Sequence, residues 1–499
     1  MKKIKILAIN LIFLAVSAIA IRTVRMYFQV YMSNAIGASG VGLYQLVMSV
    51  NFFALTFASS GVRLASARLS AEAASTGGSV MKAVRVCLGY CLFFSIAAAI
   101  LTFAAAPFIG RVWLGDPRAV LAVRVAAAGL PFLALSSVYS GYFTATDRAV
   151  IYASTQLLEQ FVKVLATVFL LEKCRPYGVE YVTAAAVGGY CVGETLSFFI
   201  LSAIYLIDRR RHKKRTERTR GVLVRLFKIA LPVAVSGYVG SAMRTLQQLL
   251  VPFGFRRSGA SSESALADYG MINGMVMPVI MLPSVIIETA ADLILPEIAG
   301  SAAAGGKRRP SYIINRALKL GIIFSLFTAG VLALFARDIS GAVYGSVETA
   351  WFICLFAVLV PFVYLDIIAD SALKGMGEQI HSMMAEIAES AVSVVLIYFL
   401  LPRFALGGYI FVIFFGSVFS FCLNITQLKR SFDVKISIAE IAGISLCAAC
   451  SLVLARLLSG VLNAVIAVAL GAAAYVLLMR LFACVTAEDV EWLKSIVKN

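Results

Sequence analysis

Long apolar runs separated by short polar connections dominate the chain. They place membrane-spanning helices near 6–32, 40–62, 84–108, 119–143, 149–171, 181–207, 224–253, 267–295, 313–336, 350–373, 380–401, 405–427, 437–457 and 461–483. A spanning helix needs about 20 mostly apolar residues, so about fourteen helices with short connections fit, at roughly 35 residues each. The runs are continuous and rich in Ala, Leu, Ile and Val, whereas a membrane β-barrel would show short alternating strands. The pattern predicts an all-α integral membrane protein.

Charge in the connections sets an expected orientation. With the N-terminus inside, one set of connections holds Lys2, Lys3, Lys5, Arg68, Lys82, Arg85, Arg148, the Arg209–Arg220 cluster, Lys307, Arg308, Arg309, Lys374, Lys429, Arg430 and Lys435. The other set holds Arg111, Arg118, Lys173, Arg175, Arg256, Arg257, Arg337 and Arg403. The bias is roughly three to one, which puts both termini in the cytoplasm. The opening Met1-Lys-Lys-Ile-Lys followed by an apolar run imitates a signal peptide. It lacks a convincing small-residue cleavage site and belongs to a repeat, so it is expected to stay as the first span.

The stretch Asp208–Arg220 is the longest polar segment and divides the chain near its middle. It is expected to be a solvated linker and topology anchor, with contact to anionic lipid as the alternative. The segments on its two sides resemble each other. Tyr139–Leu171 aligns without gaps on Ala369–Leu401, placing Glu159 on Glu389, and Arg22-Thr23 resembles Arg244-Thr245. Six spans per copy is an even number, which predicts two parallel repeats with a site between the halves. The expected organisation is an N-terminal lobe over 1–207, a basic linker over 208–223, a C-terminal lobe over 224–428, two additional spans over 429–485 and a tail over 486–499. Thr486 and Asp489 have capping-box spacing, so the tail is expected to form a short amphipathic helix on the cytoplasmic surface.

Composition narrows the function. Of 499 residues, 61% are hydrophobic and 14% charged, with a mean hydropathy of +0.91. No single aqueous core could bury that much apolar side chain. The net charge of +18 is explained by the connections, and no aromatic-basic motif points to nucleic acid. Cys447 and Cys450 have CxxC spacing but lie in an apolar span with no second pair and no histidine, so the nine cysteines are expected to be small buried residues. The two histidines are His212, in the linker, and His381, at a helix start. There is no metal-ligand cluster, P-loop or Gly-x-Ser-x-Gly, and no loop is large enough for a soluble catalytic domain. A transporter without a bound cofactor or metal is expected rather than an enzyme.

Ionisable groups inside the membrane are costly and mark candidate sites. Arg22 and Arg25 lie in the first span, Arg244 in the seventh, and Arg63 closes the second. An arginine cluster suits phosphate, because guanidinium stays charged and donates a planar fork of hydrogen bonds. The alternatives are pairing with carboxylates or, for Arg63, snorkelling to the interface. The carboxylates include Glu288 with Asp292, Asp366 with Asp370, Glu386 with Glu389, and separately Glu159 near Lys163, and Glu194. Two carboxylates one turn apart in low dielectric do not both ionise easily. Such a pair could hold Na⁺ or a transported proton, or could neutralise the arginines. Pro232, Pro278, Pro283, Pro296 and Pro361 interrupt spans, and Pro278 and Pro283 with Gly270 and Gly274 make the eighth span the candidate hinge.

Several segments carry a family resemblance. They are Asn34-Ala-Ile-Gly-Ala-Ser-Gly-Val-Gly-Leu-Tyr44, Ser60-Gly-Val-Arg-Leu-Ala-Ser-Ala-Arg-Leu-Ser-Ala-Glu72, Gly141-Tyr-Phe-Thr-Ala-Thr-Asp147, Ala230-Leu-Pro-Val-Ala-Val-Ser236 and Leu373-Lys-Gly-Met-Gly377. Together they resemble the stage V sporulation protein B group of polysaccharide-type flippases, in the multidrug/oligosaccharidyl-lipid/polysaccharide exporter superfamily, which includes lipid II flippases. The resemblance implies two six-helix lobes in a V, as in multidrug exporters, and alternating access. It further implies export of a lipid-linked oligosaccharide or cell-wall precursor across a bacterial cytoplasmic membrane. By position it assigns the cavity arginines to Arg22 or Arg25, Arg63 and Arg244, and by analogy a polyprenyl-tail groove to the last two spans. Membrane potential, Na⁺ or H⁺ could drive such export. Membrane lipids and cell-wall synthesis proteins are the implied partners. A cation-coupled multidrug exporter, a membrane-embedded polymerase or ligase, and a non-transporting envelope or spore assembly protein are the competing readings.

Overall fold

The computed structural model describes residues 2–59, 61–75, 79–146, 148–211, 221–303, 308–345, 347–434, 437–482 and 484–485. Among them every long element is a helix: α1 (Lys2–Ser59), α2 (Val62–Ser75), α3 (Val80–Phe108), α4 (Ala119–Ala145), α5 (Ala149–Cys174), α6 (Val179–Arg211), α7 (Val222–Arg257), α8 (Ser262–Met271), α9 (Met277–Met281), α10 (Ser284–Ala303), α11 (Arg308–Leu334), α12 (Ala336–Tyr344), α13 (Glu348–Ala357), α14 (Val360–Gly375), α15 (Gln379–Ser431), α16 (Ile438–Leu458) and α17 (Ala464–Leu481). The expected amphipathic tail over 486–499, most of the basic linker and His212 lie outside the described residues. All nine cysteines are free thiols.

Nine helices among the described residues are long and apolar enough to cross a membrane, or up to eleven if each of two bent pairs is one span. Two of the longest helices are interrupted. α1 turns at Gly37 (φ 71°, ψ 173°), where glycine lacks the Cβ that would clash. α15 turns at Ala405 (φ 45°, ψ −125°). The sequence placed Arg63 at the close of the second span. Instead Gly61, at φ 69°, makes one turn and the helix resumes as α2, so Arg63 and Arg68 both lie on a helix. The eighth span is a broken one, bent by 59° between Met281 and Ser284, and the tenth bends by 52° between Ala357 and Val360.

The chain folds as two compact units. The first comprises 1–274 with 397–405, the second 275–396 with 406–499. The first is centred on small and medium apolar side chains of α1, α2, α3, α4, α6 and α7, among them Ala58, Ala65, Cys87, Leu130, Leu201 and Leu226. Small residues let backbones approach, which is how helices associate without a hydrophobic drive from water. α1 and α8 show this directly: a Cβ on Gly42 would collide with the Leu266 carbonyl, and one on Gly270 with the Ala38 carbonyl. Across α1 and α7, Thr245 Oγ1 donates to the Ser49 carbonyl at 3.3 Å. In the second unit, α16 and α17 pack on α11 through Ile322, Ile444, Leu452, Tyr475 and Met479. The Tyr475 hydroxyl donates to the Ile323 carbonyl at 3.0 Å.

Candidate functional site

The candidate residues separate by unit. Arg22, Arg25, Arg63, Arg244 and Glu159 belong to the first; Glu288, Asp292, Asp366, Asp370, Glu386 and Glu389 belong to the second.

In the first unit, Arg25 and Arg63 are exposed on helices, and neither forms an ion pair among the described residues. Arg25 lies within electrostatic reach of buried Tyr44. Arg63 sits over the Tyr152 ring, 5.9 Å from its centroid, and lines a cavity of about 480 Å³ with Ser59, Ser137, Thr144 and Val233. Arg244 is exposed and Arg22 half-buried. Beside Arg244 on α7 opens an apolar cleft of about 430 Å³, lined by Phe53, Trp113, Met243, Leu246, Leu250 and Phe253.

Glu159 is not a solitary acid. Lys163 donates to Glu159 Oε1 and to Glu194 Oε1, each at 2.6 Å, and its ammonium lies 4.3 Å from the Tyr190 ring centroid. The i, i+4 pair on α5 was legible in the sequence. The contact with Glu194, from α6, was not, because nothing local links residues 31 apart.

The second unit has a different polar centre. Asp366 Oδ2 accepts from Ser420 Oγ at 2.9 Å and Oδ1 from Asn424 Nδ2 at 2.8 Å. Glu389 Oε1 accepts from Ser393 Oγ at 2.8 Å, and Glu389 and Asp366 lie within electrostatic reach of each other. Buried Asn424 Oδ1 has no hydrogen-bond partner among the described residues. Asp370, one turn from Asp366, instead pairs with Lys374 at 2.5 Å and accepts from Ser382. Glu288 accepts from Ser284 at 3.0 Å, and Asp292 and Glu386 are exposed. In the repeat alignment Glu389 and Ser393 take the places of Glu159 and Lys163. The first unit's centre therefore contains a directly paired lysine, whereas the second has Ser393 at that position and Lys374, paired with Asp370, within electrostatic reach of Asp366. Among the described residues no group of three or more His, Cys, Asp or Glu is placed to hold a metal ion.

The broken eighth span is tied at each interruption. A π-helical turn at Ile272–Val276 precedes α9, and Pro283 sits in the bend. Pro278 has no N–H to offer the Gly274 carbonyl; Gln29 Nε2 donates to that oxygen at 2.8 Å. Tyr344 OH donates to the Met275 carbonyl and Tyr364 OH to the Ile280 carbonyl, both at 2.8 Å. Long polar side chains thus satisfy backbone groups that lipid could not. Gln29, Tyr344 and Tyr364 carried no sequence signal for this role, because each acts on a distant segment.

Comparisons with known proteins fit this architecture. The sequence profile of the polysaccharide biosynthesis protein family matches residues 7–301. Stage V sporulation protein B of Bacillus subtilis (strain 168) is 26% identical over 429 residues, 83% of this chain and 82% of that protein. Among solved structures, the lipid II flippase MurJ in its inward closed conformation superposes with a TM-score of 0.73 at 15% identity, over 94% of this chain and 98% of that one. An inward-facing multidrug resistance transporter of the MATE family, in the MOP superfamily, gives 0.63 at 16% identity, over 84% and 98%. At these identities the structural likeness speaks for the fold alone. The family profile covers more than half of the chain, and this multi-pass membrane protein belongs to the polysaccharide biosynthesis protein family.

Proposed function

We propose that this protein is a flippase that carries a lipid-linked oligosaccharide or cell-wall precursor across the bacterial cytoplasmic membrane by alternating access. The observation that carries this reading is the state of Arg25 and Arg63. Both lie on the apolar span Ile19–Ala73, both are exposed, and neither has an ion-pair partner among the described residues. A lone guanidinium facing hydrocarbon costs at least about 2.5–3.5 kcal/mol, so such residues face water-filled cavities or anionic ligands. A lipid pyrophosphate supplies the anion, and forked N–H donors match its oxygens. The apolar cleft beside Arg244 suits the attached hydrocarbon. Membership of the polysaccharide biosynthesis protein family, and a fold shared with a lipid II flippase, fit the same substrate class.

The full arrangement we propose has fourteen spans. The eleven become thirteen when the two helices broken at Gly37 and Ala405 are each counted twice. Ala149–Cys174, whose Glu159 and Lys163 lower its hydropathy, completes the set. The charge bias of the connections supports cytoplasmic termini. The repeat supports two six-helix lobes over 1–207 and 224–428, with two additional spans. Arg22, Arg25, Arg63 and Arg244 contact the pyrophosphate, and Pro278 and Pro283 mark where the eighth span changes shape. Asp366 and Glu389 form the coupling centre: two carboxylates whose hydrogen-bond partners are hydroxyls and an amide suit a proton or Na⁺. Membrane potential adds about 2.3 kcal/mol per charge per 100 mV.

The acidic centre and the likeness to a MATE transporter favour one second reading, cation-coupled export of organic cations. Proteoliposomes separate the two. Flipping of a fluorescent undecaprenyl-pyrophosphate sugar without transport of a quaternary-ammonium dye is the expected result. Dye transport without flipping would replace the proposal by the second reading.

A further inference from the structure

The second unit carries a cationic cavity that the proposed transport path does not use. Its volume is about 480 Å³, and it lies where the first turns of α11 meet the end of α15. Arg308, the first residue of α11, and Lys429 and Arg430, in the last turn of α15, line it with Tyr312 and Asn315. Asp433 is the single carboxylate on the lining, so three cations face one anion. None of the three cations forms an ion pair among the described residues, whereas the adjacent Arg309 pairs with Glu297 at 3.5 Å.

The wall is held in place. Asn315 Nδ2 donates to the Ser311 carbonyl at 2.9 Å and to the Asp433 carbonyl at 2.8 Å, fastening the chain after α15 to α11. Gln427 and Ser431 both donate to Glu378 at 2.7 Å, fixing the end of α15. Basic residues that only set topology extend from open connections into water; these surround a cavity with hydrogen-bonded walls. The N-terminus of α11 adds a positive dipole end.

Position and neighbouring surface identify the ligand. α11 and α15 are both candidate spans, so a cavity at their ends lies at the membrane interface. Asn315 also lines a crevice of about 20 Å³ between α11 and α16, where Leu318, Ile322, Ile441 and Ile444 are joined by Lys319, Ser437 and Glu440, too small and too polar for a hydrocarbon chain. A cationic chamber at the ends of two candidate spans matches a phosphate headgroup whose hydrocarbon stays in the bilayer. We infer that this cavity binds an anionic phospholipid, its headgroup phosphate among Arg308, Lys429 and Arg430 and its acyl chains in the adjoining bilayer. Basic pockets between spans recognise lipid headgroups in this way.

The test uses the full chain, purified in detergent, with phosphatidylglycerol, phosphatidylcholine or inorganic phosphate as probes. Native mass spectrometry is expected to retain phosphatidylglycerol on the wild type and not phosphatidylcholine. At about a fivefold change in affinity per cation, Arg308→Gln/Lys429→Gln/Arg430→Gln is expected to weaken that binding about a hundredfold. Lys173→Gln/Arg175→Gln, at the end of α5 in the first unit, leaves it unchanged. Equal retention of both lipids, or a folded triple variant that binds as the wild type does, overturns the proposal. Displacement of the lipid by millimolar phosphate overturns it in favour of a soluble-anion site. A photoactivatable phosphatidylglycerol gives an answer that needs no variant: crosslinks within 308–322 and 429–444 are expected, and crosslinks confined to other segments contradict the assignment.

Discussion

Lys163 on α5 reaches Glu194 on α6 at 2.6 Å while holding Glu159, one turn away on its own helix, at the same distance. All three side chains are largely buried, so the lysine is the one cation that both carboxylates share. Removing one partner of a buried ion pair costs about 3–5 kcal/mol, because the charge left behind has no compensation. Lys163→Met is therefore expected to lower the thermal unfolding temperature sharply in detergent. Lys163→Met/Glu159→Gln/Glu194→Gln is expected to recover most of the loss, since it removes the charges together. A Lys163→Met protein as stable as the wild type would show that the triad carries no such load.

The contact between α1 and α8 depends on two glycines facing each other's backbones. Any side chain at Gly42 meets the Leu266 carbonyl, which cannot rotate aside as a flexible side chain could. Gly42→Val is expected to destabilise the first unit by about 1–3 kcal/mol through overpacking. Gly89, with nothing within 4 Å of a built Cβ, provides the control: Gly89→Ala should leave the unfolding temperature unchanged or slightly raised.

Tyr364 is fully buried, and its hydroxyl donates to the Ile280 carbonyl just before the bend. Tyr364→Phe keeps the ring and leaves that oxygen without its donor. A buried unsatisfied acceptor costs about 1–3 kcal/mol. The variant is expected to lose stability by that amount, and hydrogen exchange should rise in 279–286 before it rises elsewhere in the second unit. Unchanged exchange there would mean that the hydroxyl does not secure the broken span.

Asp366 and Glu389 are hydrogen-bonded by Ser420, Asn424 and Ser393, whereas Glu159 and Glu194 in the first unit are bonded by Lys163. If this centre takes up the coupling ion, Asp366→Asn removes a charge while the amide can still hydrogen-bond with Ser420. Flipping by the variant is expected to lose its response to an imposed Na⁺ or H⁺ gradient and to keep its response to membrane potential. Flipping that responds to a gradient equally in both proteins would place coupling elsewhere.

The sequence made the helical membrane fold legible because apolar runs of spanning length have few other solutions. Interruptions were legible where proline marked them, as at Pro278 and Pro283, and where a short connection was read between two runs, as between 32 and 40 and between 401 and 405. Arg63 was read as closing a span over 40–62, but it lies in the first turn of α2, which begins at Val62 after Gly61 at φ 69°. Glu159 with Lys163, Asp366 and Glu389 were legible as intramembrane ionisable groups, but their contacts across helices were not. Glu194 comes from another helix, and Ser420 and Asn424 are uncharged polar residues in an apolar run. The relation between the two polar centres became visible once the repeat alignment was read together with the hydrogen bonds, because the Lys163-to-Ser393 difference has no meaning until each side chain's partners are known.

The central claim is that exposed intramembrane arginines without ion-pair partners guide an anionic lipid-linked sugar through the protein. The most direct measurement is the flipping rate of a fluorescent undecaprenyl-pyrophosphate sugar in proteoliposomes, comparing wild type with Arg25→Gln/Arg63→Gln at matched unfolding temperature. Glutamine retains hydrogen bonding and removes charge. Charge-assisted hydrogen bonds contribute about 1.5–3 kcal/mol each, so the account predicts a rate reduced at least about a hundredfold. A folded double variant that flips the lipid at the wild-type rate would contradict it.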